Sequence, residues 1–175
     1  MVKATLHCDG GCEPNPGIMG IGGHLTIDGV DVAEFSEAAG SGTNNQAEYL
    51  ALIRGANLAR QLNVTHLVVT MDSQLVVNQM TGLWRSKDAD LAKLMREAKT
   101  VLRAFEGVSF EHVLRAKNKQ ADLLATQGRT GKTGVTPVEK SARQSGATRE
   151  DPTEMLRRIE EKLDLIIAKL DGAAD

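Results

Sequence analysis

Residues 2–9, VKATLHCD, alternate without interruption. Val2, Ala4, Leu6 and Cys8 fall on one face, and Lys3, Thr5, His7 and Asp9 on the other. A period of two marks a half-buried β-strand, so the rest of the chain must supply partners for its edges and cover for its apolar face. The next segment, CEPNPG at 12–17, is dense in Pro and Gly and reads as a loop. Two more strand-like runs follow, near 18–27 and 30–38, with the strong hairpin signal Asp28-Gly29 between them.

The pattern then lengthens to that of helices. A helix is expected from about Thr43 to Leu62, with Leu50, Ala51, Leu58, Ala59 and Leu62 as its apolar stripe. Residues 65–72, THLVVTMD, read as a buried strand, and a short helix starts at Ser73, a good N-cap. A longer helix covers about 88–105, with Leu91, Leu94, Met95, Ala98, Leu102 and Phe105 on one face. A last strand over 108–115 and a short helix over 118–126 complete the order β-β-β-α-β-α-α-β-α. An antiparallel meander followed by helical crossovers predicts an α/β fold, a mixed sheet covered by helices.

After residue 127 the character changes. Residues 128–151 are Gly, Ser, Thr, Lys and Arg with almost no large apolar side chains, which reads as a flexible linker. In 152–171, Leu156, Ile159, Leu163, Ile166 and Leu170 follow the 3-4-3-4 spacing of a coiled-coil seam. The chain is long enough for one well-cored domain and little more. It has no apolar stretch of membrane-spanning length and no signal-peptide h-region at its start, so a cytoplasmic location is expected. Cys8 and Cys12 form one C-x3-C pair, which suits free thiols in a reducing compartment and not a zinc site. The net charge of −2 excludes a protein that grips phosphates by bulk positive charge.

The acids carry the chemistry. Asp9 ends the first strand and Asp72 the fourth. If those strands are parallel neighbours, both carboxylates stand at the carboxyl edge of the sheet, where α/β folds place ligands. Taken singly, each reads more readily as a strand-ending acid in a solvated turn. Glu48 lies on or beside the core-facing stripe of its helix, so its carboxylate requires a cation, donors, or a path to water. Asp122 alone would be an ordinary exposed acid one turn after Asn118.

Four segments in order, DGGCEPNPG at 9–17, GTNNQAEYLAL at 42–52, TMDSQLVVNQMTG at 70–82 and NKQADLLA at 118–125, resemble type 1 ribonuclease H. The resemblance covers residues 2–127 and implies a five-stranded mixed sheet, with its first and fourth strands adjacent and parallel. It implies that Asp9, Glu48, Asp72 and Asp122 form a four-acid metal site. It also implies that Asn15, Asn44, Asn45 and Gln74, with Cys12, line the groove that reads an RNA–DNA hybrid, and that Thr43 lies near the DNA phosphate. The expected activity is endonucleolytic hydrolysis of the RNA strand, leaving 3′-hydroxyl and 5′-phosphate ends. Hard oxygen ligands suit Mg²⁺, with Mn²⁺ as a substitute. Two such ions about 3.5–4 Å apart are expected to activate water and stabilise the leaving oxygen. A non-catalytic hybrid-binding module and a DNA-junction nuclease on the same fold are the competing readings. Intact acids argue against the first, and the amide-rich groove against the second.

The sequence also departs from the pattern. Many relatives carry a His on the loop before the last acid, where this chain has VLRAKNKQAD. Its Arg115, Asn118, Ala121 and Asp122 match a compact subgroup instead, and Arg115 or Lys117 is expected to take part of the missing role. His112 is expected to be structural. Trp84 either supports the DNA strand or is a structural aromatic. The basic helix-and-loop handle of some relatives is replaced by TGLWRSKDAD at 81–90. The seam of the tail, with Leu at a and Ile at d, favours more than two strands. One expectation is therefore a homo-oligomer, trimer or tetramer, built through 153–171. A helix packed on the core or docked to a replication partner is the alternative. Light scattering of the chain with and without residues 128–175 tests this. Association only in the longer form is expected, and a monomer in both contradicts it.

Overall fold

The computed structural model describes residues 1–132 and 134–137. The tail helix and its oligomer, and the linker beyond 137, lie outside the described residues. Strands β1 (Lys3–Glu13), β2 (Gly17–Ile27) and β3 (Val30–Gly42) form the antiparallel meander. Helix α1 (Asn44–Gln61) leads to β4 (His66–Met71), α2 (Gln74–Met80), α3 (Ala89–Leu102) and β5 (Gly107–His112). A single 3₁₀ turn at Arg115–Lys117 precedes α4 (Lys119–Arg129). The strand order is β5-β4-β1-β2-β3-β6, with β4 parallel to both β1 and β5. The adjacency of the first and fourth strands is therefore as expected. Among the described residues no helix is long and apolar enough to cross a membrane.

Three features differ from the sequence reading. The sheet has a sixth strand, β6 (Gly134–Pro137), antiparallel to β3 and inside the stretch read as linker. Its composition is that of a linker, but β3 presents an edge of unpaired backbone groups that a short segment can satisfy. Helix α1 is buried on more than one side: Tyr49, Leu52, Ala56 and Ala59 are fully buried, while Leu62 of the expected stripe is exposed. It packs on β1 and β2 and also against α3, so its apolar residues are not confined to one stripe. His112, expected to be structural, is exposed at the end of the edge strand β5.

Caps fix the helix starts. Thr43 and Gln46 form a capping box on α1. The Ser73 hydroxyl accepts from Val76 N, and the Asp88 carboxylate from Leu91 N. The Tyr49 hydroxyl donates to Gln79 Oε1 at 2.7 Å, which ties α1 to α2 inside the core. Among the described residues, α2 and α3 are joined by a short loop over 81–88, which is where the handle is absent.

Glycines decide how closely the helices approach the sheet. A Cβ on Gly10 would lie 2.2 Å from the backbone of Ala47, so α1 rests directly on β1 there. A Cβ on Gly22 would lie 2.2 Å from Ala125 N, so α4 rests on β2 on the other face. Side chains alternate along β1, and Gly22 pairs with Asp9, so Asp9 shares the α4 face. Any side chain at Gly22 must lift α4. Gly22→Ala is expected to lower unfolding free energy by about 2–3 kcal/mol, as overpacking does. Urea denaturation reads this directly, and an unchanged midpoint and slope would contradict the packing described.

Candidate active site

The parallel register of β1 and β4 pairs Lys3 with His66 and His7 with Thr70. Carried on by two residues, the same offset places Asp9 beside Asp72. Glu48 comes down from the first turns of α1, and Asp122 comes up from the first turn of α4. Strand ends and two helices on opposite faces thus deliver four carboxylates to one cleft of about 330 Å³. Cys12 and Asn44 line the same cleft.

Neutral donors hold much of this arrangement. Asn118 is 2% exposed; its Nδ2 donates to Asp72 Oδ1 at 2.8 Å and to Cys8 O at 3.1 Å. One side chain therefore ties the start of α4 to both central strands, while its own Oδ1 is buried without a partner. Ser73 Oγ, besides capping α2, donates to Glu48 Oε2. Gly10 N donates to Asp9 Oδ1 at 2.9 Å. Arg115 Nη2 meets Asp122 Oδ1 at 2.6 Å.

The electrostatics are those of crowded acids. Burial, then the neighbouring Asp72, pushes the Asp9 carboxyl up to about 7. Burial, with Asp72 adding to it, raises Glu48 to about 7 against the opposing bond from Ser73. Among the described residues no three His, Cys, Asp or Glu side chains form a ready-made metal cage. Glu48 and Asp122 are instead engaged by Ser73 and Arg115.

The other expected residues divide. Asn44 Oδ1 accepts from Cys12 N at 2.7 Å, and Asn15 Oδ1 accepts from Asn44 N at 3.2 Å and from the Cys12 thiol at 3.4 Å. Cys12, Asn15 and Asn44 are therefore one linked rim between the β1–β2 loop and the start of α1. Thr43 caps α1 beside them. Asn45 is half-buried in the first turn of α1, and Gln74 is exposed at the first residue of α2; neither lines the cleft. Trp84 is 47% exposed and borders a separate groove with Leu83, Lys87 and Leu91. Sequence reading missed Ser73 as a partner of Glu48, and missed Glu13 and Arg129, which pair across the cleft rim. The spacing of Gly20 and Gly22 was the available signal for the close seat of α4.

Residues 7–128 match the family model described as reverse transcriptase-like. The N-terminal RNase H domain of Rv2228c from Mycobacterium tuberculosis is 40% identical, covering 75% of this chain and 96% of that structure, with a TM-score of 0.72. The chain belongs to the ribonuclease H family. RNase H1 of Halobacterium salinarum is 39% identical over 74% of this chain and 98% of that one, with a TM-score of 0.70. LC11-RNase H1, solved in complex with an RNA/DNA hybrid, is 30% identical over 75% of this chain and 99% of its own, with a TM-score of 0.69. The full mycobacterial relative is named a bifunctional protein, and this ribonuclease H family member spans only 40% of its length.

The raised carboxyls have a consequence for stability. Asp9 titrates near 7 when folded against an ordinary 3.8, so between those values the folded form binds the extra proton. Stability from this group therefore rises as pH falls from about 7 to 4, and is lost as pH rises through 7. His7, lowered chiefly by burial, acts in the opposite sense, so the comparison must be with Asp9→Asn and not across pH alone. Without divalent metal, Asp9→Asn is expected to melt higher than wild type at pH 8. The advantage should shrink by pH 5. Equal differences at both pH values would contradict the crowding.

Proposed function

We propose that this chain is an endonuclease that hydrolyses the RNA strand of RNA–DNA hybrids with divalent metal ions held by Asp9, Glu48, Asp72 and Asp122. The convergence of those four carboxylates on one cleft carries the proposal. The donor set fits such ions: it is all oxygen, it suits Mg²⁺ or Mn²⁺ better than zinc, and among the described residues only Asp122 of the four pairs with a cation. When bound, two divalent ions would supply a more acidic water and an electrostatic sink for the leaving oxygen of an in-line displacement.

The chain's own residues do the positioning. Asn118 fixes the Asp72 carboxylate, and Ser73 fixes that of Glu48. Arg115 pairs with Asp122 and would give it up to a stronger cation. Asn44 uses its carbonyl on Cys12 N, so its NH₂ is the end offered to a ligand. With Asn15, Asn45 and Gln74 it presents neutral donors and acceptors of the kind that distinguish a 2′-hydroxyl from a hydrogen. Thr43 is assigned to the DNA phosphate beside the helix start that it caps. The free thiols of Cys8 and Cys12 suit a cytoplasmic setting.

Cleavage of a hybrid labelled on each strand, with Mg²⁺ or Mn²⁺, tests the proposal. Wild type should cut only the RNA strand. Asp72→Asn keeps the shape and removes one charge, so turnover should fall by about 10³-fold or more while hybrid binding survives. Full turnover by Asp72→Asn, or cutting of the DNA strand, would refute it.

A further inference from the structure

The acidic cleft also contains arginines. Arg115 is 77% exposed and lies on Asp122. Arg129 is built in more firmly. Asp122, Thr126 and Arg129 are spaced i, i+4, i+7, so they share one face of α4, with Arg129 about 10 Å along the axis from Asp122. Its backbone is seated on the sheet: a Cβ on Gly20 would meet Arg129 N at 2.4 Å. Its side chain is 24% exposed and pairs through Nη1 with Glu13 Oε2, whose side chain is 74% exposed.

The two partners are unequal. The arginine side chain is mostly covered and lines the cleft, whereas the carboxylate stands in solvent at the end of β1, next to the loop that carries Asn15. An exposed carboxylate holds such a cation weakly. A backbone phosphodiester carries the same single charge on two free oxygens in the same geometry, and it arrives as part of a strand lying in the cleft, so a strand entering there can displace the carboxylate. We propose that Arg129 binds a backbone phosphate of the RNA strand within a few nucleotides of the cleavage point, and that Glu13 is a stand-in acceptor that keeps Arg129 oriented until the strand arrives. This rests on the nuclease reading of the cleft. The competing view is that the pair is a structural clip between the loop and α4.

The two views differ in what they require of Glu13. Steady-state cleavage of a labelled hybrid by the full chain, over a salt series with Mg²⁺, separates them. Arg129→Gln should raise KM about tenfold with kcat within about threefold, and should reduce the salt dependence by about one charge. Arg129→Lys should fall between the two. Glu13→Gln should leave KM unchanged or lower it, because it removes the competitor. In hybrids with single RNA-strand phosphates replaced by uncharged methylphosphonates, one position should penalise wild type and add nothing in Arg129→Gln. A rise in KM for Glu13→Gln that matches Arg129→Gln would overturn the proposal, as would identical methylphosphonate profiles for both proteins. A wild type that leaves every hybrid intact fails the nuclease reading itself, and the proposal with it. Cleavage with an unaffected Arg129→Gln fails the proposal alone.

Discussion

The carboxylates of Asp9, Glu48, Asp72 and Asp122 face one cleft and repel one another, and the remainder of the structure is arranged to hold them there. Repulsion of this kind is relieved by protonation, by donors or by a cation. The fold uses all three: Asp9 and Glu48 are raised to about 7, Ser73, Asn118 and Gly10 supply donors, and the Arg115 guanidinium pairs with Asp122. Such an arrangement does not stabilise a protein. It is retained where the concentrated charge has a use.

Precision at the cleft comes from backbone contact more than from side-chain packing. Gly10 lets α1 touch β1, and Gly20 and Gly22 let α4 touch β2, so Glu48 and Asp122 ride on helices seated against the sheet. Asn118 then links the start of α4 to Cys8 O and Asp72. Its position explains why the amide matters. It donates twice, as no carboxylate could, and it adds no further negative charge next to Asp72.

Local pattern was enough for much of this. Alternation in 2–9, the Asp28-Gly29 turn and the cap at Ser73 each have a local cause, and the elements they predict are present. The juxtaposition of the acids had no local cause. It depends on β4 pairing in parallel with β1 and on which face α4 covers, and the sequence spoke to these only through resemblance to a family. The sixth strand was hidden for a related reason: β6 exists because β3 has an edge to be satisfied, while its own residues look like linker. Helix α1 misled because a helix packed on two sides has no single stripe. Glu13 and Arg129, 116 residues apart, could be paired only by the fold.

The central claim is that these four acids gather divalent ions. Anomalous scattering from crystals soaked in Mn²⁺ tests it most directly. The account predicts density bounded by the Asp9 and Asp72 carboxylates. Strong Mn²⁺ density elsewhere with none between those two side chains would contradict it.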